Sequence, residues 1–226
     1  MDIKKIIEAK KHIDSSVDIV FFDIDNTVLN ADGPGATEWA CAFEKYVRSY
    51  AIKREWSTNY ALALATKYIS DHIRRMRPKL VENEVVELIG YIKQLNIPMI
   101  AITGRPLDTI DVTLTQLKEF GIDFSSHLFD PKNVLFDTKE HPALFQDGII
   151  TCNHNKKGAL IQQFLRTVRY MPKKVAFIDD DFGFMDDVEN AMRESAIDFV
   201  GLRYAYLDDE VNNFVLTEDM IPTELR

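Results

Sequence analysis

Two carboxylates separated by one residue, Asp23 and Asp25, close an apolar run, Ile19 to Phe22, within the stretch from Val17 to Thr27. Three more polar clusters sit in comparable places. Met99 to Ile102 stops at Thr103-Gly104-Arg105-Pro106, Lys156-Lys157-Gly158 opens a segment with helical periodicity, and Val175 to Ile178 runs into Asp179-Asp180-Asp181. Together they offer a carboxylate nucleophile, a second carboxylate for proton transfer, a hydroxyl, an ammonium and further carboxylates able to hold a cation. That set is what metal-assisted phosphoryl transfer through an aspartyl-phosphate needs.

Taken singly, each cluster has a plainer explanation. Asp23 and Asp25 could be an acidic turn after a strand, and Thr103-Gly104 could be a turn. The acidic triplet could cap the next helix and favour its dipole, a role that suits Asp181. The first cluster is a poor EF-hand, because Val28 stands where that loop needs glycine. Arg105 is open between contact with phosphate or substrate and a simple pairing with an acid. His127, His141 and His154 have no metal-ligand spacing.

The clusters need elements that bring them to one edge. Ile19–Phe22, Met99–Ile102 and Val175–Ile178 lack polar alternation, as strands buried on both faces of a parallel sheet do. Between them Val85, Leu88, Ile89 and Ile92 fall at i, i+3, i+4 and i+7, and Ile161, Phe164, Leu165 and Val168 form a second stripe, each marking a helix. Helices also follow Arg105 (Leu107, Ile110, Leu114, Leu117) and the acidic triplet (Phe184, Met185, Val188, Met192). Phe199–Leu202 reads as a last strand, and Asp208-Asp209-Glu210 starts a short helix. Alternating strand and helix predicts an α/β fold, a parallel sheet covered on both faces, with ligands at the carboxyl ends of its strands.

Elsewhere the pattern predicts an amphipathic helix over residues 3–13 and a turn-rich break from Leu29 through Pro34-Gly35. A helical insertion rich in aromatics runs from about Thr37 to Arg77 and closes at Arg74-Arg75-Met76-Arg77-Pro78-Lys79. A hairpin is predicted from Asn133–Phe136 and Gly148–Cys152, flanking a loop with His141-Pro142 and Asp147-Gly148. The chain thus divides into a core of residues 1–29 and 80–226 and a small helical cap of residues 30–79.

A formal net charge of −9 over 226 residues argues against a nucleic-acid binder, which would carry a basic footprint. Two distant cysteines, Cys41 and Cys152, make no disulfide framework and suit a reducing compartment. The N-terminal segment keeps interrupting its apolar residues with charge, unlike a signal peptide, and no apolar run is long enough to span a bilayer. The expectation is a soluble, cytoplasmic protein with no membrane partner, with secretion by a route that leaves no cleavable signal as the alternative.

DIDNT after an apolar strand, Thr103 closing MIAIT, Lys157 before Gly158, and FIDD closing the third core strand resemble the four motifs of the haloacid dehalogenase superfamily in their usual order. Within it the chain looks like a little-characterised bacterial branch with a small helical cap. The resemblance implies a Rossmann-like core and a Mg²⁺-dependent phosphatase acting on a phosphorylated metabolite or phosphoprotein. Asp23 would attack phosphorus, and Asp25 would protonate the leaving oxygen and then accept a proton from water. Asp23, Asp179 and Asp180, with the carbonyl of Asp25, would hold Mg²⁺. Thr103 and the backbone N–H groups of Ile24, Asp25 and Gly104 would meet phosphate oxygens. Lys157 would bridge nucleophile and phosphate, with Lys156 competing for that role, and Arg105 would contact substrate.

An acid at position 25 argues against a dehalogenase and against the P-type ATPases, which carry threonine there. A phosphomutase would retain it. The same motifs would also serve a phosphotyrosine phosphatase, since some bacterial members of the superfamily are delivered into host cells and act on phosphotyrosine. A catalytically silent module that binds a phosphorylated partner could keep them too.

Overall fold

The computed structural model describes residues 1–33, 36–125, 129–130, 133–138 and 141–226. The predicted turn at Pro34-Gly35 and the side chain of His127 lie outside the described residues.

Ile19–Phe22 forms β2, buried at all four positions, as its unbroken apolar sequence requires. It pairs in parallel with β5 (Met99–Thr103) on one side and β9 (Lys174–Asp179) on the other, with Phe22 opposite Ala101 and Ile178. Beyond β9 lie β10 (Asp198–Tyr204) and β1 (Asp2–Ile3), both parallel. Beyond β5 come β8 (Ile149–Thr151), parallel, then β7 (Ala143–Gln146) and β6 (Asn133–Phe136), both antiparallel. The eight-stranded order is β1-β10-β9-β2-β5-β8-β7-β6. The chain runs outward from β2 in both directions, so β2 marks the topological switch point, where ligand crevices open beyond the strands' carboxyl ends.

Alternate residues of the central strands feed two separate cores. Val20, Phe22, Ala101, Ala176 and Ile178 face α3 (Glu84–Gln94) and α4 (Ile110–Glu119). Ile19, Phe21, Ile100, Val175 and Phe177 face α5 (Lys157–Thr167) and α6 (Phe182–Glu194). Each fully buried side chain of this size contributes about 1.5–3 kcal/mol, so the sheet is fixed from both faces. This is the predicted α/β, Rossmann-like class, a mostly parallel sheet with helices on both sides.

Between β3 (Leu29–Ala31) and β4 (Pro78–Leu80) stand α1 (Ala36–Lys53) and α2 (Thr58–Arg75). Their own core of Trp39, Phe43, Val47, Ala61, Ala65, Ile69 and Ile73 also takes in Ile221 and Leu225 from near the end of the chain. A short helix, α7 (Asp208–Asn213), follows β10.

Several expectations are corrected. The predicted helix over residues 3–13 is instead strand β1 followed by a 3-10 helix at Ile6–Lys11. Buried Ile3, Ile6 and Ala9 recur every three residues, the repeat of a 3-10 turn and not of an α-helix. The turn-rich break at Leu29 contains β3, which pairs antiparallel with β4 from Leu29–Leu80 to Ala31–Pro78. The predicted hairpin gains a strand: β7 lies between β6 and β8, and the tight turn to β8 uses positive φ at Asp147 (47°) and Gly148 (86°). The helix after Arg105 begins as a 3-10 turn, Leu107–Thr109.

Candidate active site

Asp23 follows β2 directly, its N–H donating to Ile178 O at 2.9 Å, so the sheet ladder still holds its backbone. One residue later the chain leaves the sheet. Asn26 takes φ 63°, a left-handed conformation that asparagine tolerates better than most residues, and Val28 and Leu29 N–H groups return to Ile24 O at 2.9 and 2.8 Å. This compact turn aims Asp25 away from Asp23 while leaving both on the lining of one cleft.

That cleft, of about 250 Å³, is lined by Asp23, Asp25, Gly104, Arg105, Asp179 and Asp180 on the sheet side. Thr37, Ala40, Cys41, Glu44, Ile69 and Ile73 of α1 and α2 close the opposite side, and Phe184 and Asn155 complete it.

Lys157, 1% exposed, lies behind the lining carboxylates Asp23 and Asp179. Its Nζ donates to Asp23 Oδ1 and, at 2.7 Å, to Asp179 Oδ2, and stands 4.3 Å from the Phe184 ring centroid. Lys156, the other candidate, is exposed as the N-cap of α5 and lines an adjoining surface groove with Asp187 and Glu194, which meets the cleft at Asn155, Asp181 and Phe184. The extended cap backbone turns the two side chains apart. Gly158 fixes which one enters: its N–H donates to Asp187 Oδ2 at 2.8 Å, and a Cβ there would lie 2.6 Å from Asp187 O. The first turn of α5 is thereby pressed against α6, with Lys157 directed inward.

Asp179, 0% exposed, spends its other oxygen on Asp181 N–H at 2.8 Å, and Asp181 caps α6 by accepting from Phe184 N–H at 3.0 Å. One carboxylate oxygen each from Asp23, Asp179 and Asp180 lie within 4.8 Å of one another. Burial pushes the Asp23 carboxyl up to about 8, opposed by Lys157 and reinforced by Asp179 and Asp25. Burial likewise raises Asp179 and Asp180, with Asp23 and Asp179 adding to the latter. Two carboxylates hold the Lys157 ammonium protonated against its own burial. Full ionisation of the three carboxylates against one ammonium would leave two uncompensated negative charges, which burial resists by raising the carboxyls, in an all-oxygen donor set. A hard divalent cation such as Mg²⁺ fits both the charge and the donors.

Arg105 does not reach for the cleft as a free cation. It is 3% exposed and embraces Asp25: Nε lies 2.9 Å from Oδ2 and 3.1 Å from Oδ1, and Nη2 lies 2.8 Å from Oδ1. Of the two roles open to it from sequence, the structure has it paired with an acid. Thr103, 1% exposed, accepts from Arg105 N–H at 3.1 Å and stands 3.4 Å from Asp25 Oδ2.

The structure therefore brings Asp23, Asp25, Thr103, Gly104, Arg105, Lys157, Asp179 and Asp180 to one place and leaves Lys156 outside it. It also adds residues with no motif of their own. Thr113 and Gln116 of α4 hold Arg105 from behind, and Glu38, in the first turn of α1, is 4% exposed with neither carboxyl oxygen hydrogen-bonded. Nothing in the sequence separates these residues from the polar positions of a helix's solvent face.

The fold and site define an α/β protein of doubly wound, mostly parallel sheet with an acidic, lysine-centred cleft at its switch point. The model of the family of unknown function DUF2608 matches residues 1–222, and the chain belongs to that family. A Chlamydia trachomatis protein provisionally named an outer membrane protein is 23% identical over 190 residues, covering 82% of this chain and 68% of that protein. An uncharacterized protein of Rickettsia bellii is 25% identical over 156 residues, 62% of this chain, which spans about half (52%) of that relative. No helix of the described residues is long and apolar enough to cross a membrane. A haloacid dehalogenase-like family hydrolase from Streptococcus pneumoniae aligns over 88% of this chain and 99% of its own at 12% identity, with a TM-score of 0.48.

Proposed function

We propose that this protein is a Mg²⁺-dependent phosphomonoester hydrolase that works through an aspartyl-phosphate on Asp23, with α1 and α2 as a cap over the cleft. The observation that carries the reading is the convergence of four separated stretches on one cleft: Lys157 Nζ bonds Asp23 and Asp179 beside Asp180, and Asp25, Gly104 and Arg105 share the lining. The order and chemistry of those stretches match the four haloacid dehalogenase motifs.

Asp23, Asp179 and Asp180 would hold Mg²⁺, which when bound supplies positive charge against the phosphate. A phosphate charge about 4 Å from an ionised carboxylate is repelled by about 4 kcal/mol at an effective dielectric near 20, so Lys157 alone leaves the approach unfavourable. Lys157 keeps its proton and draws Asp23 and a phosphate oxygen together. Thr103 and the Gly104 N–H position the phosphoryl oxygens. Asp23 forms a bond to phosphorus as the ester P–O bond breaks, and Asp25 passes a proton to the departing oxygen. Water then attacks phosphorus, gives its proton to Asp25 and releases Asp23 as the acyl phosphate bond breaks. The cap excludes bulk water during the first step.

The test is phosphate release from p-nitrophenyl phosphate with Mg²⁺, with EDTA, and in Asp23→Asn. Turnover that needs the metal and disappears in the variant is expected. Metal-independent turnover, or turnover that survives Asp23→Asn, would overturn the reading. A panel of phosphometabolites and of phosphotyrosine, phosphoserine and phosphothreonine peptides then assigns the substrate.

A further inference from the structure

The guanidinium of Arg105 is buried yet has no solvent-facing task, and its hydrogen bonds form a continuous path through the protein. Nε and Nη2 grip one edge of the Asp25 carboxylate, while Nη1 donates to Thr113 Oγ1 at 2.9 Å and to Gln116 Oε1 at 2.7 Å. Thr113 is itself fixed, its hydroxyl donating to Thr109 O at 2.9 Å one turn back in the helix. Gln116 uses its other end elsewhere: Nε2 donates to Ile73 O at 3.0 Å, in the last turn of α2. Thr113 and Gln116 are 1% and 3% exposed. Both ends of one amide are thus satisfied, acceptor toward the arginine and donor toward a carbonyl at a helix C-terminus, where carbonyls have no intrahelical partner.

We infer that Arg105 is a positioning residue for Asp25, and that Gln116 ties this clamp to α2, so that the seating of α2 and the aim of the proton-transferring carboxylate are set together. This rests on the phosphatase reading and assigns to Arg105 a role other than binding substrate. A side-on fork fixes the carboxylate plane, because Nε and Nη2 are rigidly coplanar. A carboxylate has about four lone-pair sites, so the grip on one edge leaves sites for a proton. A second tie binds α2 to the same region. Asp108, in the 3-10 turn before α4, accepts from Ser70 Oγ at 2.8 Å and from Arg74 Nη2 at 2.5 Å. The carbonyl of Ile73 is therefore presented to Gln116 by a helix end held on both sides of the contact.

The consequence is a dependence on leaving group. p-Nitrophenolate departs without a proton, whereas the alkoxide of glycerol 2-phosphate needs one as its P–O bond breaks, so a misaimed Asp25 penalises the second ester selectively. Arg105→Gln, Arg105→Lys, Thr113→Val and Gln116→Leu are compared with wild type on both esters with Mg²⁺. General acid–base catalysis contributes about 10²–10⁴-fold, so kcat/KM, which reports the leaving-group step and not the hydrolysis of the shared aspartyl-phosphate, should fall about 10- to 100-fold further for glycerol 2-phosphate than for p-nitrophenyl phosphate in the Arg105 variants. Lysine should fail to rescue, since it keeps the charge and loses the fork. In an Asp25→Asn background Arg105→Gln should add little to that selectivity. Gln116→Leu should show the same selectivity in weaker form, together with faster hydrogen exchange in the last turn of α2.

Equal losses in kcat/KM on the two esters would overturn the inference, and if they arise from a KM rise on both with kcat unchanged they make Arg105 a phosphate ligand. If Arg105→Gln does not fold, Thr113→Val and Gln116→Leu decide alone, because the Arg105–Asp25 pair survives in both. Wild-type protein that hydrolyses neither ester would sink the phosphatase reading and this inference with it, a result distinct from active wild type with unselective variants.

Discussion

A buried carboxylate is costly unless a cation or hydrogen bonds meet it, and the site meets this cost in two different ways. Asp23 and Asp179 share Lys157, while Asp25 has Arg105 to itself. Glu38 has neither: both oxygens are buried without a hydrogen bond, and its carboxyl is raised by burial, with Glu210 and Asp25 adding repulsion that the nearby Asn26 amide only partly offsets. The sign of its effect on stability follows. Between its ordinary value near 4.5 and its raised value in the fold, the native state binds more protons than the unfolded one, so stability falls as pH rises through that window. Glu38→Gln should therefore leave stability unchanged below the ordinary carboxylate range and raise it at neutral pH, where only the ionised carboxylate carries the added cost of burying a charge. Urea midpoints of both proteins from pH 4 to 8 check this, and parallel curves across the range would refute it. Glu38 was invisible in the sequence for a physical reason. Its consequence depends on a tertiary neighbour, whereas Asp23, Thr103, Lys157 and Asp179 announce themselves by standing where an apolar run ends or a helix begins. Thr113 and Gln116 were equally hidden, since polar residues on a helix read as its solvent face until the buried guanidinium beneath them is seen.

At the scale of elements, long periodic segments were legible and short ones were not. α3 and α5 were evident from stripes of four apolar residues, and β2, β5 and β9 from unbroken apolar runs. β7 has four residues with alternating burial, and β3 and β4 have three each, too few for a period to show. Which of Lys156 and Lys157 points into the carboxylate cluster is also an element-level matter, set by how α5 meets α6. Gly158 is the contact point, since a methyl group there would sit 2.6 Å from Asp187 O and 2.8 Å from Ala191 Cβ, and the first of these is backbone that cannot rotate away. Gly158→Ala should then push the start of α5 off α6 and carry Lys157 with it. A loss of about 1–3 kcal/mol in urea unfolding is expected from overpacking. Phosphatase turnover should fall by more than Gly90→Ala produces, a site in α3 where an added Cβ meets nothing within 4 Å. Equal effects of the two alanines would show that the α5–α6 contact does not govern the lysine.

At the scale of the whole molecule, the sheet and the α1–α2 pair have separate cores, and among the described residues their junction includes three sets of contacts. One is the β3–β4 ribbon, and the second is the Gln116 and Asp108 contacts with α2. The third could not be read from sequence, because the apolar residues of 214–225 follow neither a helical nor a strand period. In the structure Ile221 and Leu225 enter the α1–α2 core, and three aromatic side chains reach across to the same segment. Trp39 Nε1 donates to Met220 O at 3.3 Å, Tyr46 OH to Leu225 O, and Tyr68 OH to Glu224 Oε1. Because this segment continues from β10 and α7, it straps the helical pair to the sheet at a second place beside the ribbon. Truncating a buried Leu or Ile to Ala costs about 2–5 kcal/mol, and a contact confined to one cooperative unit loses that amount there first. The Ile221→Ala/Leu225→Ala double variant should accelerate amide hydrogen exchange in α1 and α2 while β2, β5 and β9 keep their protection. Should the strand amides speed up by the same factor as the helices, the strap, the helical pair and the sheet would open as one unit, and any closure of α1 and α2 over Asp23 would have to come from movements smaller than unfolding of the strap.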